Sequence, residues 1–150
     1  MHNLLTAIKH TRLLNRNTGT PQTIKGTILD MQGFESARFI VGFQTVVNDA
    51  SVTFRLAQAD TNATGDMVVS DATSGAIISD GTTIALSNKE LILDVIGVQK
   101  RYLEIQVVIG AQNAPIDYIV ADQYPAGMQP LASQGASVHA STTKLNPAAA

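Results

Sequence analysis

Cysteine and tryptophan are absent from the chain, and aromatic residues make up only 5% of it. Without cysteine there is no disulfide framework, no thiol nucleophile and no thiolate metal site. Charged residues are also scarce, at 15% against 45% hydrophobic. That balance lies outside the disordered range and suits a protein whose surface is largely covered by partners. No long apolar run occurs. Lys9, His10 and Arg12 interrupt the apolar stretch from Leu4 to Leu14, so neither a signal-peptide core nor a membrane span is expected, and the product should stay in the cytosol until it assembles. Nucleotide cradles are missing too: the sequence holds no GxGxxG and no Walker lysine.

What is present is sorted by position. Residues 1–29 carry Lys9, Arg12, Arg16 and Lys25 and no acid, whereas residues 30–150 carry six bases and all twelve acids. Beyond Asp122 the one charged side chain is Lys144, in a tail rich in Pro, Ala, Ser, Gln and Gly. With 150 residues the chain forms one domain. We divide it into a basic arm over 1–22, a body over 23–124 and a tail over 125–150. The tail shows no periodicity and too little apolar area to offset its own ordering entropy, so it is ordered only if something else orders it.

The body reads as strand after strand, with period-2 alternation between turn signals about ten residues apart. An all-β antiparallel sandwich follows. Ala37, Phe39, Val41, Phe43 and Val47 share one face, and Asn48-Asp49 turns the chain into a strand with Val52, Phe54 and Leu56 inward. This pair is expected to form a hairpin. Residues 60–79 read as a long polar loop holding two short strands, at Met67-Val68-Val69 and Ala76-Ile77-Ile78. Thr82 to Leu86 reads as a strand, as does the segment with Leu91, Leu93 and Val95 inward. The cleanest alternation runs from Arg101 to Ile109, expected near a sheet centre, and Ile116, Tyr118 and Val120 are taken as the inward face of the last strand. In the arm, Leu4, Leu5, Ile8 and Leu13 fall near helical spacing behind Asn3, predicting a short helix over 4–14 that docks on a neighbour. An extended arm is the competing reading.

No catalytic constellation emerges. His2, His10 and His139 all lie in the arm or tail, where nothing rigid is expected to position an imidazole. Asp94, Glu104 and Asp117 fall on outward strand positions, the ordinary place for solvated carboxylates. The stretch from Asp60 to Asp66 has the alternating oxygen ligands that open a calcium loop, but its twelfth position is Asp71 and no helices flank it. Four bases without interleaved aromatics make a poor nucleic-acid module, so the arm is expected on an acidic protein surface. No cofactor, metal, membrane or nucleic acid is expected.

Four phrases carry a family likeness: Ile28 to Glu35 (ILDMQGFE), Arg38 to Phe43 (RFIVGF), Lys89 to Val95 (KELILDV) and Gln99 to Leu103 (QKRYL), between a basic lead and an Ala/Ser/Pro-rich end. With these the chain resembles small bacteriophage virion proteins of the capsid decoration or cement type. The resemblance implies a β-sandwich, often jelly-roll-like, made in the host cytoplasm, that sits on the outer surface of a phage head and bridges adjacent capsomers. The implied partner is the major capsid protein, with self-association, a trimer being the simplest guess, and no catalysis. The same group shades into head-completion and tail-associated proteins. By position, the contact candidates are Leu4, Leu5, Ile8, Lys9, Arg12 and Arg16 in the arm and the Lys100-Arg101-Tyr102 corner. A carbohydrate- or receptor-binding module is the rival, and it requires Tyr102, Tyr118 and Tyr124 to line one exposed platform. Truncation of residues 1–20 is expected to leave the body folded.

Overall fold

The computed structural model describes residues 7–70, 77–79, 86–125 and 137–145, the strand residues 77–79 and 138–145 by their backbone alone. Eleven strands are described: β1 (Lys9–Leu14), β2 (Thr23–Lys25), β3 (Leu29–Asp30), β4 (Ser36–Phe43), β5 (Ser51–Ala59), β6 (Val68–Val69), β7 (Ile77–Ser79), β8 (Glu90–Ile96), β9 (Tyr102–Gly110), β10 (Ile116–Tyr124) and β11 (Val138–Leu145). They form two sheets. One has the order β1-β10-β4-β8-β11; the other runs β2-β9-β5-β6, with β3 on β9 and β7 on β5. Leaving β11 aside, successive strands repeatedly change sheet, in the interleaved order of a jelly roll. The expected all-β sandwich is the fold.

The core is the inner face of both sheets. Phe39, Val41, Leu91, Leu93, Val95, Ile116, Ile119 and Ala121 from the first sheet meet Val52, Phe54, Leu103, Ile105 and Val107 from the second, all with no exposed surface. Packing of this density makes each buried methylene worth about 0.8 kcal/mol. The strand with the cleanest alternation, β9, lies inside its sheet between β2 and β5, as expected.

Three sequence expectations about the strands are corrected. β4 and β5 are not a hairpin: β4 pairs with β10 and β8, and β5 with β9, β6 and β7. The chain crosses between sheets at residues 44–50, through buried Val46 and Ala50 and a left-handed Asp49 at φ 66°. Alternation states which face of a strand is dry, and it does so equally for a neighbour in the same sheet and one across the core. Second, Tyr118 and Val120 point outward. The β10 register shifts between Ile116 and Tyr118, and this bulge inverts every later side chain, so that Ile119, Ala121 and Gln123 become the buried set.

Third, residues 9–14 are a strand and not a helix. β1 runs antiparallel to β10, from Lys9↔Gln123 to Leu14↔Ile119, and buries Leu13 in the core. A short helix is marginal in water, whereas the open edge of β10 offers a full ladder of backbone partners. Consequently deletion of residues 1–20 removes a core strand, and the body is not expected to survive it unchanged. The tail, expected to be ordered only if something else orders it, holds a strand among the described residues: β11 pairs in parallel with β8 from Val138↔Glu90 to Leu145↔Ile96. What orders residues 138–145 is the edge of β8. The predicted strand over 82–86 lies outside the described residues except for Leu86, which is fully buried at the start of a turn. The two short strands predicted in the polar loop are present as β6 and β7.

Candidate functional site

Residues 9–14 of the acid-free lead form β1, the strand at one end of the first sheet's order. Along β1, Lys9, His10 and Arg12 are exposed, Leu13 is buried, and Arg16 follows in the exposed chain leaving the strand. Among the described residues neither Lys9 nor Arg12 has a carboxylate within ion-pair distance. Arg16 donates from Nη2 to Gln44 Oε1 at 2.9 Å, and Gln44 in turn donates from Nε2 to Asp117 Oδ1 at 2.9 Å. Half-buried Leu14 lies beside Arg12 and Arg16 in a shallow groove that also includes Thr27. Three predicted contact bases, Lys9, Arg12 and Arg16, are thus brought to one edge. Ile8 is half-buried just before it; Leu4 and Leu5 lie outside the described residues. The fourth base of the lead, Lys25, sits elsewhere, 3.5 Å from buried Glu104.

The second predicted contact, Lys100-Arg101-Tyr102, is occupied from within. Lys100 Nζ lies 2.5 Å from Asp60 Oδ2. Arg101 grips Asp30 through Nε at 3.0 Å and Nη2 at 2.9 Å, adds Gln32 Oε1 at 2.7 Å, and stacks 5.0 Å over the Tyr102 ring. This fork joins two of the four phrases into one corner, since Leu29 pairs with Leu103 and Asp30 with Tyr102. The other two phrases are neighbouring strands, β4 and β8, with Phe39 opposite Leu93. All four therefore describe internal contacts of the fold.

Asp30 is held down to about 2, first by the hydrogen bond from Arg101 and then by the Gln32 backbone N–H. Because its folded value lies below the ordinary 3.8, its stabilising contribution is complete above that pH and is lost as pH falls through about 2. Arg101→Gln is therefore expected to return the Asp30 titration toward 3.8, read by carboxyl NMR. An unchanged titration would show that Arg101 does not hold the carboxylate.

The outer face of the first sheet holds what sequence reading missed. Tyr118 and Tyr124, both on β10, each reach across β4 to a carboxylate on β8: Tyr118 Oη donates to Glu90 and Tyr124 Oη to Asp94. Gly42 lies under the Tyr118 ring, where a Cβ would come within 2.6 Å of its carbons. Arg38 donates from Nη2 to Asp94 Oδ2 at 3.3 Å, and His10 Nδ1 lies 2.5 Å from Asp122 Oδ1. His10 is thus placed on a strand, contrary to expectation. Asp94 is 3% exposed and, on the other sheet, Glu104 1%, so both outward carboxylates are buried and not solvated. A signal existed. In Leu91-Ile92-Leu93-Asp94-Val95-Ile96 both alternating sets are apolar apart from Asp94, the mark of a strand covered on both faces.

Burial, then the Glu90 carboxylate, pushes the Tyr118 phenol up to about 12. Burial and Asp94 likewise raise Tyr124. Both are fixed donors at neutral pH, far from the range of a working acid or base. The three tyrosines share no platform, since Tyr102 belongs to the second sheet and the other two spend their hydroxyls on β8. In the segment with calcium-loop spacing, Asp60 faces Lys100, and Asp66 accepts from the Thr61 hydroxyl. Among the described residues no helix is long and apolar enough to cross a membrane.

No family model and no curated protein matches the chain. Among solved structures it is similar to the PBSX exported protein XepA, at 12% identity and a TM-score of 0.52, over 90% of this chain and 42% of that one. This chain therefore spans less than half the length of that protein. Pili of Bacillus endospore appendages, a disulfide-linked family, follow at 10% identity and TM-score 0.42, over 81% and 90% of the two chains. The infectious bursal disease virus Gx strain structure follows at 13% and 0.39, over 82% and 34%. The likeness to XepA is one of fold, the two-sheet β-sandwich built above.

Proposed function

We propose that this chain is a structural virion protein without catalysis, which binds the outer surface of a phage capsid and bridges adjacent capsomers in a decoration or cement role. Its partner is the major capsid protein, and copies associate with one another, a trimer about a local threefold being the simplest arrangement. The observation that carries this reading is the edge made by β1, where Lys9, Arg12 and Arg16 line an open strand with Leu14 beside them. The sandwich shared with a phage (PBSX) exported protein supports it at the level of fold. An exposed basic edge resists pairing with its own copies, because like charges would face each other, yet suits an acidic surface. Many such weak contacts sum through multivalency on a shell.

The triple variant Lys9→Gln, Arg12→Gln, Arg16→Gln tests it. These side chains are exposed, so folding should be unaffected, while occupancy on purified heads falls roughly tenfold or more, a sum of modest surface terms of about 0.2–1 kcal/mol each over several sites per copy. Added salt should reduce wild-type binding and leave the variant little changed. Equal occupancy of the two proteins at low salt would remove the basic edge from the interface.

A further inference from the structure

Three of the four bases in the acid-free lead meet along one seam of the sandwich. β1 ends the order of the first sheet and β2 that of the second, and Thr27 fastens this side together, its backbone N–H and its Oγ1 both donating to Leu13 O at 3.0 Å. Gly26 makes the approach possible. Its N–H donates to Ile105 O at 2.9 Å, and a Cβ on it would lie 2.9 Å from Ile105 Cγ2 and 3.3 Å from Leu13 Cβ, so the chain here lies tight against a residue of each sheet.

Thr27 lines two clefts. The first, of about 480 Å³, holds exposed Arg12 and Arg16 beside half-buried Leu14. The second, of about 460 Å³, is lined by exposed Lys25, Asn62 and Thr64, with Glu104 buried at 1% exposure. Both lie in the size range of ligand sites, about 300–1,000 Å³. Glu104 is the one acid among the lining residues, and it is already answered: Gln106 Nε2 donates to its Oε1 at 2.8 Å, and Lys25 Nζ lies 3.5 Å from the same oxygen. Three bases against one buried acid leave the pair of clefts positive.

We infer that the two clefts together seat an extended acidic segment of a partner protein, its carboxylates answered by Arg12 and Arg16 in the first and by Lys25 in the second. The bases are spread over the ends of two sheets, so a compact anion meets one cleft whereas a linear segment meets both. Charge complementarity sets the sign of the partner. Among the described residues no aromatic side chain lines either cleft, which leaves nothing for a nucleic-acid base to stack on. The hydroxyls of Thr27 and Thr64 and the Asn62 amide suit a peptide instead, whose extended backbone presents every second side chain to one face. The inference deepens the capsid-binding reading and rests on it only for which protein carries the segment.

The test uses the full chain without capsids and a fluorescein-labelled twelve-residue peptide of alternating Glu and Thr, a composition that favours extended chain through its threonines, at low salt. Fluorescence anisotropy should show saturable binding, about tenfold or more tighter than that of labelled Glu-Thr-Glu, which fills a single cleft. Equal binding of the tripeptide overturns the linear seat. A labelled twelve-nucleotide oligothymidylate should also bind about tenfold or more weaker, and equal binding overturns the assignment to a peptide.

Two variants address the second cleft, which the β1 edge alone does not require. Asn62→Asp with Thr64→Glu places two acids in it, and peptide affinity should fall about fivefold. Asn62→Lys adds a base there and should raise affinity about threefold, a gain that misfolding cannot imitate. Affinity unchanged in Asn62→Lys overturns the proposal. No capsid enters these measurements, so a peptide that goes unbound removes the two-cleft seat and leaves the head-binding result standing.

Discussion

Gly19→Ala will lower stability by about 3–5 kcal/mol, among the largest losses a single methyl group produces. Gly19 stands where the chain leaves β1 to cross to the second sheet. Its φ is +61°, and a Cβ there would lie 1.9 Å from the Ala114 carbonyl oxygen and 2.2 Å from the Ala114 carbonyl carbon. Both obstacles are backbone and cannot swing aside. The contact is close because this is a paired crossing: Ala114 N–H donates to Gly19 O at 2.8 Å, Ile116 and Asn17 exchange backbone bonds at 3.0 and 2.9 Å, and Gly19 N–H donates to Asn17 Oδ1 at 2.9 Å. Making room for the methyl breaks this set and loosens the end of β1. Thermal unfolding should show a Tm lower on the order of 10 °C. A change under about 2 °C would mean that the crossing is not held as described.

Asp94→Ala is the second large effect, expected at about 3 kcal/mol. The carboxylate is buried and answers two donors, the Tyr124 hydroxyl and Arg38 Nη2. Its removal leaves a buried phenol and a cation whose side chain is only 32% exposed, and an unmade bond costs more than a made one contributes. Asp94→Asn keeps an acceptor and should lose about half as much. Replacing both ion-pair partners, with Arg38→Met and Asp94→Leu, should recover much of the loss, because no charge is then left unpaired. Urea unfolding of the four proteins separates these outcomes. If Asp94→Ala unfolded at the wild-type midpoint, the pair would contribute nothing net.

These two sites show where sequence reading stops. Asp94 lies in a strand that was read correctly, with Leu91, Leu93 and Val95 inward, yet its surroundings come from β4 and β10, distant in sequence. The need for glycine at position 19 comes from Ala114, ninety-five residues away, and nothing local announces it. Asp30 and Arg101 lie in two separate stretches of sequence, and only the pairing of β3 with β9 brings them into one corner. Tyr118 was misread because a single-residue bulge inverts the phase of all that follows it, and a bulge leaves no mark in alternation.

The sequence by itself determined the all-β class, the dry face of most strands, the basic lead and the absence of cysteine chemistry, because period, composition and charge act through each residue and its near neighbours. The tertiary structure alone decided which strands share a sheet, that residues 9–14 are β1 and not a helix, that residues 138–145 supply β11, and that Asp94 and Glu104 are buried. Each of those outcomes depends on an open strand edge or a covered face supplied by a remote segment. Backbone hydrogen bonding is blind to residue type, so an edge takes whatever extended segment the chain can bring to it.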